Sequence, residues 1–292
     1  MRITEKLLRK CKTNSKYAMI IKDIKTVAHE RMNEASNSAL SKFRNAVLPI
    51  YGADEKGLLE HIGSALLLYL PEGHFLLTAA HIIDCNTKTT LYLGIQNVLP
   101  LQFEVLITEA PNGDRKQDNF DFAIARLNTE LQERLSGSKF IKEEEISRSI
   151  AITDDRIYTL LGYPNSKNKI NPQKTYIRRV IPWLGIYTSI GKQSDSLKES
   201  AIEQQHILLA HGQKNSLYES GETIRTPDLH GFSGGAIIDL GPFSLDTVNS
   251  TLDPKLAALI IDYPKNKQLI RGTRLSTILK AIREKHSGNS GE

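Results

Sequence analysis

The chain has 292 residues, 40% of them apolar and 24% charged, which is soluble globular composition and excludes a disordered or fibrous chain. No apolar run approaches the roughly 20 residues of a membrane helix, and the length suits one large domain or two subdomains of about 100 residues each. The net charge of +5 is unevenly placed: residues 1–46 hold eleven Lys/Arg against four Asp/Glu, a surplus of seven, so the remainder is slightly acidic.

The basic segment 1–45 reads as an N-terminal arm. Tyr17, Ile20, Ile21, Ile24, Val27 and Ala28 recur at helical spacing, which predicts an amphipathic helix over 16–44, packed on the body or on a partner. Its charge suits an acidic regulatory protein, with nucleic acid or an anionic membrane surface as other occupants; a solvated helix is the plainer reading. The N-terminus has no apolar core of a secretory signal. Two cysteines, Cys11 and Cys85, do not make a disulfide framework. Both features point to a cytoplasmic setting.

From residue 46 the texture changes to short β-type runs punctuated by turn residues. In order these are NAVLPIYG, IGSALLLYL, HFLLTAAHII, TTLYLGI, QFEVLIT, DFAIARL, RIYTLLGYP, YIRRVIPWLGIYTSI, HILLAHG, GGAIIDL and LAALIIDY. Helical crossovers for a parallel sheet are few, so the expected fold is mostly β, a sandwich or a pair of barrels. The boundaries are a first barrel over 46–130, a connector over 131–150 and a second barrel over 151–272. Two helical segments interrupt the pattern. Residues 128–149 are charged and mid-chain. The C-terminal segment 273–286 carries Leu275, Ile278, Leu279 and Ile282 at helical spacing, and residues 287–292 form a frayed tail.

Three strings carry chemistry. Leu76-Leu77-Thr78-Ala79-Ala80-His81 is an apolar strand delivering a His at its end; Asp121-Phe122-Ala123-Ile124 places an acid ahead of an alternating strand. His230-Gly231-Phe232-Ser233-Gly234-Gly235 sets a Ser among glycines. Singly, each is a common turn or strand-end feature. Jointly they supply a nucleophilic hydrolase: a Ser hydroxyl needs a base, a His serves as one, and a carboxylate orients it. The glycines let backbone amides turn toward one spot, as oxyanion stabilisation requires. No cofactor is called for, and no Cys/His cluster has metal-ligand spacing.

Thr78-Ala79-Ala80-His81, Asp121-Phe122-Ala123-Ile124 and Gly231-Phe232-Ser233-Gly234-Gly235 resemble, in this order, the TAAH, Asp-x-Ala-apolar and G-x-S-G-G elements of the chymotrypsin/trypsin-like serine peptidases. Gly63-Ser64-Ala65 looks like the small-residue strand that often precedes the His element. The resemblance spans 46–285 and implies two six-stranded Greek-key β-barrels with a peptidase site in the cleft between them. It implies a catalytic triad of His81, Asp121 and Ser233, oxyanion donors at the Gly231 and Ser233 amides, and a protein or peptide substrate.

Where zymogen-type members carry an Asp between that Gly and Ser, this chain has Phe232, which cannot pair with a cleaved N-terminus. Control by a partner or ligand is the expectation instead. The strand around Asp262 should line the primary pocket, where its carboxylate would favour a basic P1 side chain; a solvent-facing strand residue is the alternative. Pro227 stands where some relatives place a selectivity acid.

Two other readings compete. The string Gly231-Phe232-Ser233-Gly234-Gly235 also fits the nucleophile elbow of α/β-hydrolases, which needs a helix after the Ser and a His downstream. The same barrels could also serve as a non-catalytic peptide- or partner-binding module.

Overall fold

Alternation of side chains in the apolar runs decides where each strand sits. Leu66, Leu68 and Leu70 enter one core and Ala65 and Leu67 another, so this strand is buried on both faces. The computed structural model describes residues 24–53, 55–94, 98–101, 104–149, 156–168, 185–190, 204–210, 216–217, 223–224, 229–242, 253–263 and 269–288. Most of the arm, and also Cys11, Trp183 and Pro227, lie outside the described residues.

The chain enters through helix α1 (Ile24–Phe43) and then forms β1 (Val47–Ala53), β2 (Leu59–Leu70) and β3 (Gly73–Ala79). A short helix α2 (Ala80–Asp84) leads to β4 (Tyr92–Gly94), β5 (Val98–Pro100), β6 (Val105–Ile107) and β7 (Phe122–Arg126). After α3 (Thr129–Arg134) come β8 (Ile141–Lys142), β9 (Arg156–Gly162), β10 (Gly185–Ile190) and β11 (His206–Ala210). The two-residue strands β12 (Ser216–Leu217) and β13 (Thr223–Ile224) pair with each other. Then β14 (Ala236–Pro242), β15 (Lys255–Asp262), β16 (Leu269–Arg274) and helix α4 (Leu275–Gly288) complete the described chain.

These strands build two curled, mostly antiparallel sheets. The first runs β5-β4-β1-β2-β3-β7-β6, with β8 added in parallel beside β2; the second runs β10-β9-β14-β15-β16-β11. Among the described residues the first sheet thus has eight strands where six were expected, because β5 and β8 are pieces of three and two residues that carry little pattern. Among the described residues the second sheet has six strands. Each sheet wraps its own core, around Leu67, Leu76 and Leu93 in the first and Leu160, Ile237 and Ile260 in the second. A third cluster joins the sheets through Leu68, Leu77 and Ile124 on one side and Leu161, Ile238 and Leu259 on the other.

Both long helices seal that central cluster. Helix α1 contributes Ala39 and Phe43, and Ser36 meets Thr159 of β9 at 3.1 Å. The described part of the arm therefore docks on the body. Lys42 donates to Asp253 at 2.8 Å and to the Pro254 carbonyl at 2.9 Å. Helix α4 buries Leu275, Ile278, Leu279 and Ile282, the four expected residues, although it starts at Leu275 because Thr273 and Arg274 still belong to β16.

The connector differs from its helical reading. Only Thr129–Arg134 is helical, capped by the Asn128 side chain, which accepts from Leu131 N–H. Ser136, Gly137 and Ser138 end it, and the acidic run continues as β8 and a single 3-10 turn. Ile146 then bridges to Leu256 of β15, carrying the chain to the second sheet.

Candidate active site

His81 lies two residues past the end of β3, in the first turn of α2, rather than on the strand itself. Two bonds to one carboxylate fix it. Its Nδ1–H donates to Asp121 Oδ2 at 2.7 Å, and its backbone N–H donates to Asp121 Oδ1 at 2.9 Å. The Ala80 N–H donates to the Asp121 carbonyl at 3.1 Å, so the whole acidic residue faces the His turn. Asp121 is 6% exposed and has a φ of 42°, a left-handed conformation that Asp tolerates better than most residues. With Nδ1 committed to Asp121, Nε2 is the nitrogen left to take a proton, and the imidazole side chain is 36% exposed.

A cation braces this pair from behind. Arg115 Nε donates to Asp84 at 2.8 Å, on the helix of His81, while Nη1 donates to Asp118 at 2.7 Å, in the turn before Asp121. Burial would raise the Asp118 pKa, but bonds from the Asp121 and Phe120 N–H groups, the Thr108 hydroxyl and Arg115 hold it below the usual carboxylate range. The second sheet grips the same turn: His206 Nε2–H donates to the Asn119 carbonyl at 2.7 Å and the Thr273 hydroxyl to the Phe120 carbonyl at 2.6 Å.

Ser233 is the second residue of the latter of two successive tight turns. Phe232 N–H donates to the Leu229 carbonyl at 2.9 Å and Gly235 N–H to the Phe232 carbonyl at 2.8 Å. Gly231 and Gly234, third in each turn, have φ of 92° and 82°, the sign that type II turns demand there. A Cβ at Gly234 would collide with the Ser64 carbonyl, and one at Gly231 with the Tyr163 carbonyl and the Asn165 side chain. Only glycine fits either place.

The turns also sort the amides. The carbonyl of His230 accepts the Asn165 N–H at 2.8 Å, and that of Phe232 accepts Gly235 N–H. In a trans peptide the C=O and N–H point oppositely, so the N–H groups of Gly231 and Ser233 turn away from these anchors. Among the described residues neither N–H meets an acceptor. Phe232 is 1% exposed and packs into the core of the second sheet, pinning the loop by burial.

β2 joins the two halves. Ser64 N–H donates to the Ser233 carbonyl at 2.8 Å, the Ser64 hydroxyl donates to the Gly231 carbonyl at 2.8 Å, and it accepts the Tyr163 N–H at 3.0 Å. A Cβ at neighbouring Gly63 would stand 3.2 Å from the Ser233 carbonyl oxygen and 2.6 Å from Ile82, the residue after His81. The His81 turn and the Ser233 loop therefore meet across one glycine. Ser233 Oγ itself lies 3.4 Å from the Ile261 carbonyl of β15.

The structure thus brings His81 against Asp121 and places the Ser233 loop across Gly63 from the His81 turn. Asp262 is one residue beyond that Ile261 carbonyl, yet its carboxylate is gripped by Arg271 on β16, at 3.2 Å to Nε and 2.7 Å to Nη2. It is a paired charge, not a bare one. The chain after Ser233 continues as strand β14, which excludes the strand–turn–helix of a nucleophile elbow. Ser64, Asn165, His61 and Arg115 were not identified from sequence as parts of the site.

No helix of the described residues is long and apolar enough to cross a membrane. No family model matches the chain, and no curated protein matches it. A solved structure from work on the aromatic-driven coupled folding and binding of the intrinsically disordered Sesbania mosaic virus VPg protein is similar at 13% identity and a TM-score of 0.44. The match covers 80% of this chain and 93% of that one.

Proposed function

We propose that the chain is a serine endopeptidase of the chymotrypsin/trypsin-like class, its two sheets forming Greek-key barrels, that hydrolyses peptide bonds of a protein substrate. The observation that carries this reading is the two-bond hold of Asp121 on His81, joined through Gly63 and Ser64 to a Ser233 loop whose amides at 231 and 233 meet no acceptor among the described residues.

In this mechanism Ser233 Oγ turns from the Ile261 carbonyl and gives its proton to His81 Nε2 as it attacks a peptide carbonyl. Asp121 keeps the Nδ1–H tautomer and stabilises the imidazolium. The Gly231 and Ser233 amides take the oxyanion, the leaving amine takes the proton from His81, and water releases the acyl group. No metal or organic cofactor enters the sequence of steps. The Arg271 pairing of Asp262 argues against a strong basic preference at P1. A cytoplasmic setting and a regulatory protein on the basic arm are part of the proposal.

The 3.4 Å bond of Ser233 Oγ to Ile261 favours a second reading, a peptide-binding module with a silent nucleophile. A fluorophosphonate probe separates the two. Labelling of the folded wild type, absent in a folded Ser233→Ala variant, supports the peptidase. Silence of both folded proteins, with and without cell extract, favours the binding module; labelling only with extract marks partner control.

A further inference from the structure

The Gly231 amide can serve an oxyanion only if the His230–Gly231 peptide keeps its present face. A backbone bond holds that face, from Asn165 N–H to the His230 carbonyl at 2.8 Å. Asn165 follows Tyr163-Pro164 just beyond β9, in a turn closed by bonds to the Pro164 carbonyl from Lys167 N–H at 3.1 Å and Asn168 Nδ2–H at 2.8 Å. The turn is therefore a formed element and not a slack strand end. Its side chain is held from the other sheet, since His61 of β2 donates Nδ1–H to Asn165 Oδ1 at 2.5 Å.

His61 is well seated for this task. It is 5% exposed, with its ring edge-on to Tyr51 at 5.4 Å between centroids. The carboxamide of Asn165 lies so close to Gly231 that a Cβ there would overlap its oxygen, and His61 Cε1 would be 2.8 Å from the same point. The amide-presenting glycine thus lies against both partners of this bond.

We propose that His61 and Asn165 form a latch that holds the His230–Gly231 peptide in the oxyanion-binding orientation. The inference rests on the serine peptidase reading. Neither residue is assigned contact with the substrate; both are positioning residues acting through the Gly231 amide. The latch spans the two sheets, so it also ties oxyanion binding to their correct docking.

The test follows the rate constant for fluorophosphonate labelling of Ser233 in the full chain, across pH, with thermal midpoints as a folding control. Asn165→Ala keeps the backbone bond but drops the tether, and His61→Phe keeps a ring but drops the donor. Each should lower the plateau rate roughly tenfold, less than the hundredfold or more expected when an oxyanion donor is deleted. The pH midpoint should stay that of wild type, since His81 and Asp121 are untouched.

Asn165→Asp, which keeps the acceptor, should restore most of the rate, and the double variant should be no slower than either single one. Either single variant reads the same bond, so one that fails to fold leaves the other decisive. A wild type that stays unlabelled both with and without cell extract overturns the peptidase reading and the latch together. A labelled wild type with either folded single variant within twofold of its rate overturns the latch alone.

Discussion

Asp121 holds His81 through both oxygens, one on the ring Nδ1–H at 2.7 Å and one on the backbone N–H at 2.9 Å. The second bond fixes where the residue stands, and the first fixes which ring nitrogen carries the proton. Asp121→Asn separates these roles. If the amide oxygen keeps the backbone N–H, its NH2 group faces Nδ1 and selects the tautomer with the proton on Nε2, which cannot accept from Ser233. Reactivity of Ser233 toward the fluorophosphonate should drop by about 10⁴ while the circular dichroism spectrum is unchanged. A variant retaining even a tenth of the wild-type rate would remove Asp121 from the mechanism.

Arg115 should matter to rate more than to stability. It is one guanidinium bonded to the helix of His81 and to the turn of Asp121, at a partly exposed position. Arg115→Met keeps much of the apolar stem and deletes the clamp. The expected result is a labelling rate lowered by about tenfold, because small displacements of a positioned pair are costly. The accompanying loss of stability should be about 1 kcal/mol, the scale of partly exposed ion pairs. Urea unfolding on the same preparation checks the second figure, and a rate equal to wild type would show the clamp to be merely structural.

Ser64 is wholly buried and fully used, giving its proton to Gly231 and accepting from Tyr163. Ser64→Ala strands a buried carbonyl and a buried N–H at once. Each unmet group costs about 1–3 kcal/mol, so unfolding free energy should fall by roughly 2–6 kcal/mol. Ser64→Cys, whose thiol bonds weakly, should fall between the alanine variant and wild type. Denaturant titration orders the three, and an alanine variant as stable as wild type would mean that water takes over both bonds.

The triad candidates were legible because each sits where a local pattern ends: an apolar run before His81, an alternating one after Asp121, glycines about Ser233. The four expected core residues of α4 were legible for the same reason, since helical spacing is local. What positions the site is not local. Ser64 and Gly231 are 167 residues apart, His61 and Asn165 are 104 apart, and nothing around His61 or Asn165 distinguishes it from a strand or turn residue. The segment 128–149 misled in the opposite way, its charges suggesting a long helix that Ser136-Gly137-Ser138 cuts short. Strand β16 was missed because LIRGTR alternates poorly, with Gly272 pressed against Leu259 and Ile237 where a side chain would not fit.

His61 also makes a prediction about pH that does not depend on catalysis. Burial pushes its pKa down to about 4, against the opposing bonds to Asn165 and the Gly63 backbone. The buried Nε2 has no partner among the described residues, so a proton there would gain a charge and no acceptor. In the unfolded chain the imidazole titrates at its ordinary value near 6.5 and binds the proton more readily than in the fold. Between pH 6.5 and 4 the unfolded state therefore holds more protons, and stability must rise with pH through that window. His61 should contribute nothing to the slope above pH 7, and acidification to pH 4 should cost on the order of 3 kcal/mol through this residue. Urea unfolding of wild type and His61→Phe from pH 4 to 8 reads the difference. The wild-type stability should fall more steeply on the acid side than that of the variant, with the two profiles parallel above pH 7. Profiles parallel throughout would mean that His61 is already protonated in the fold, or that water reaches it.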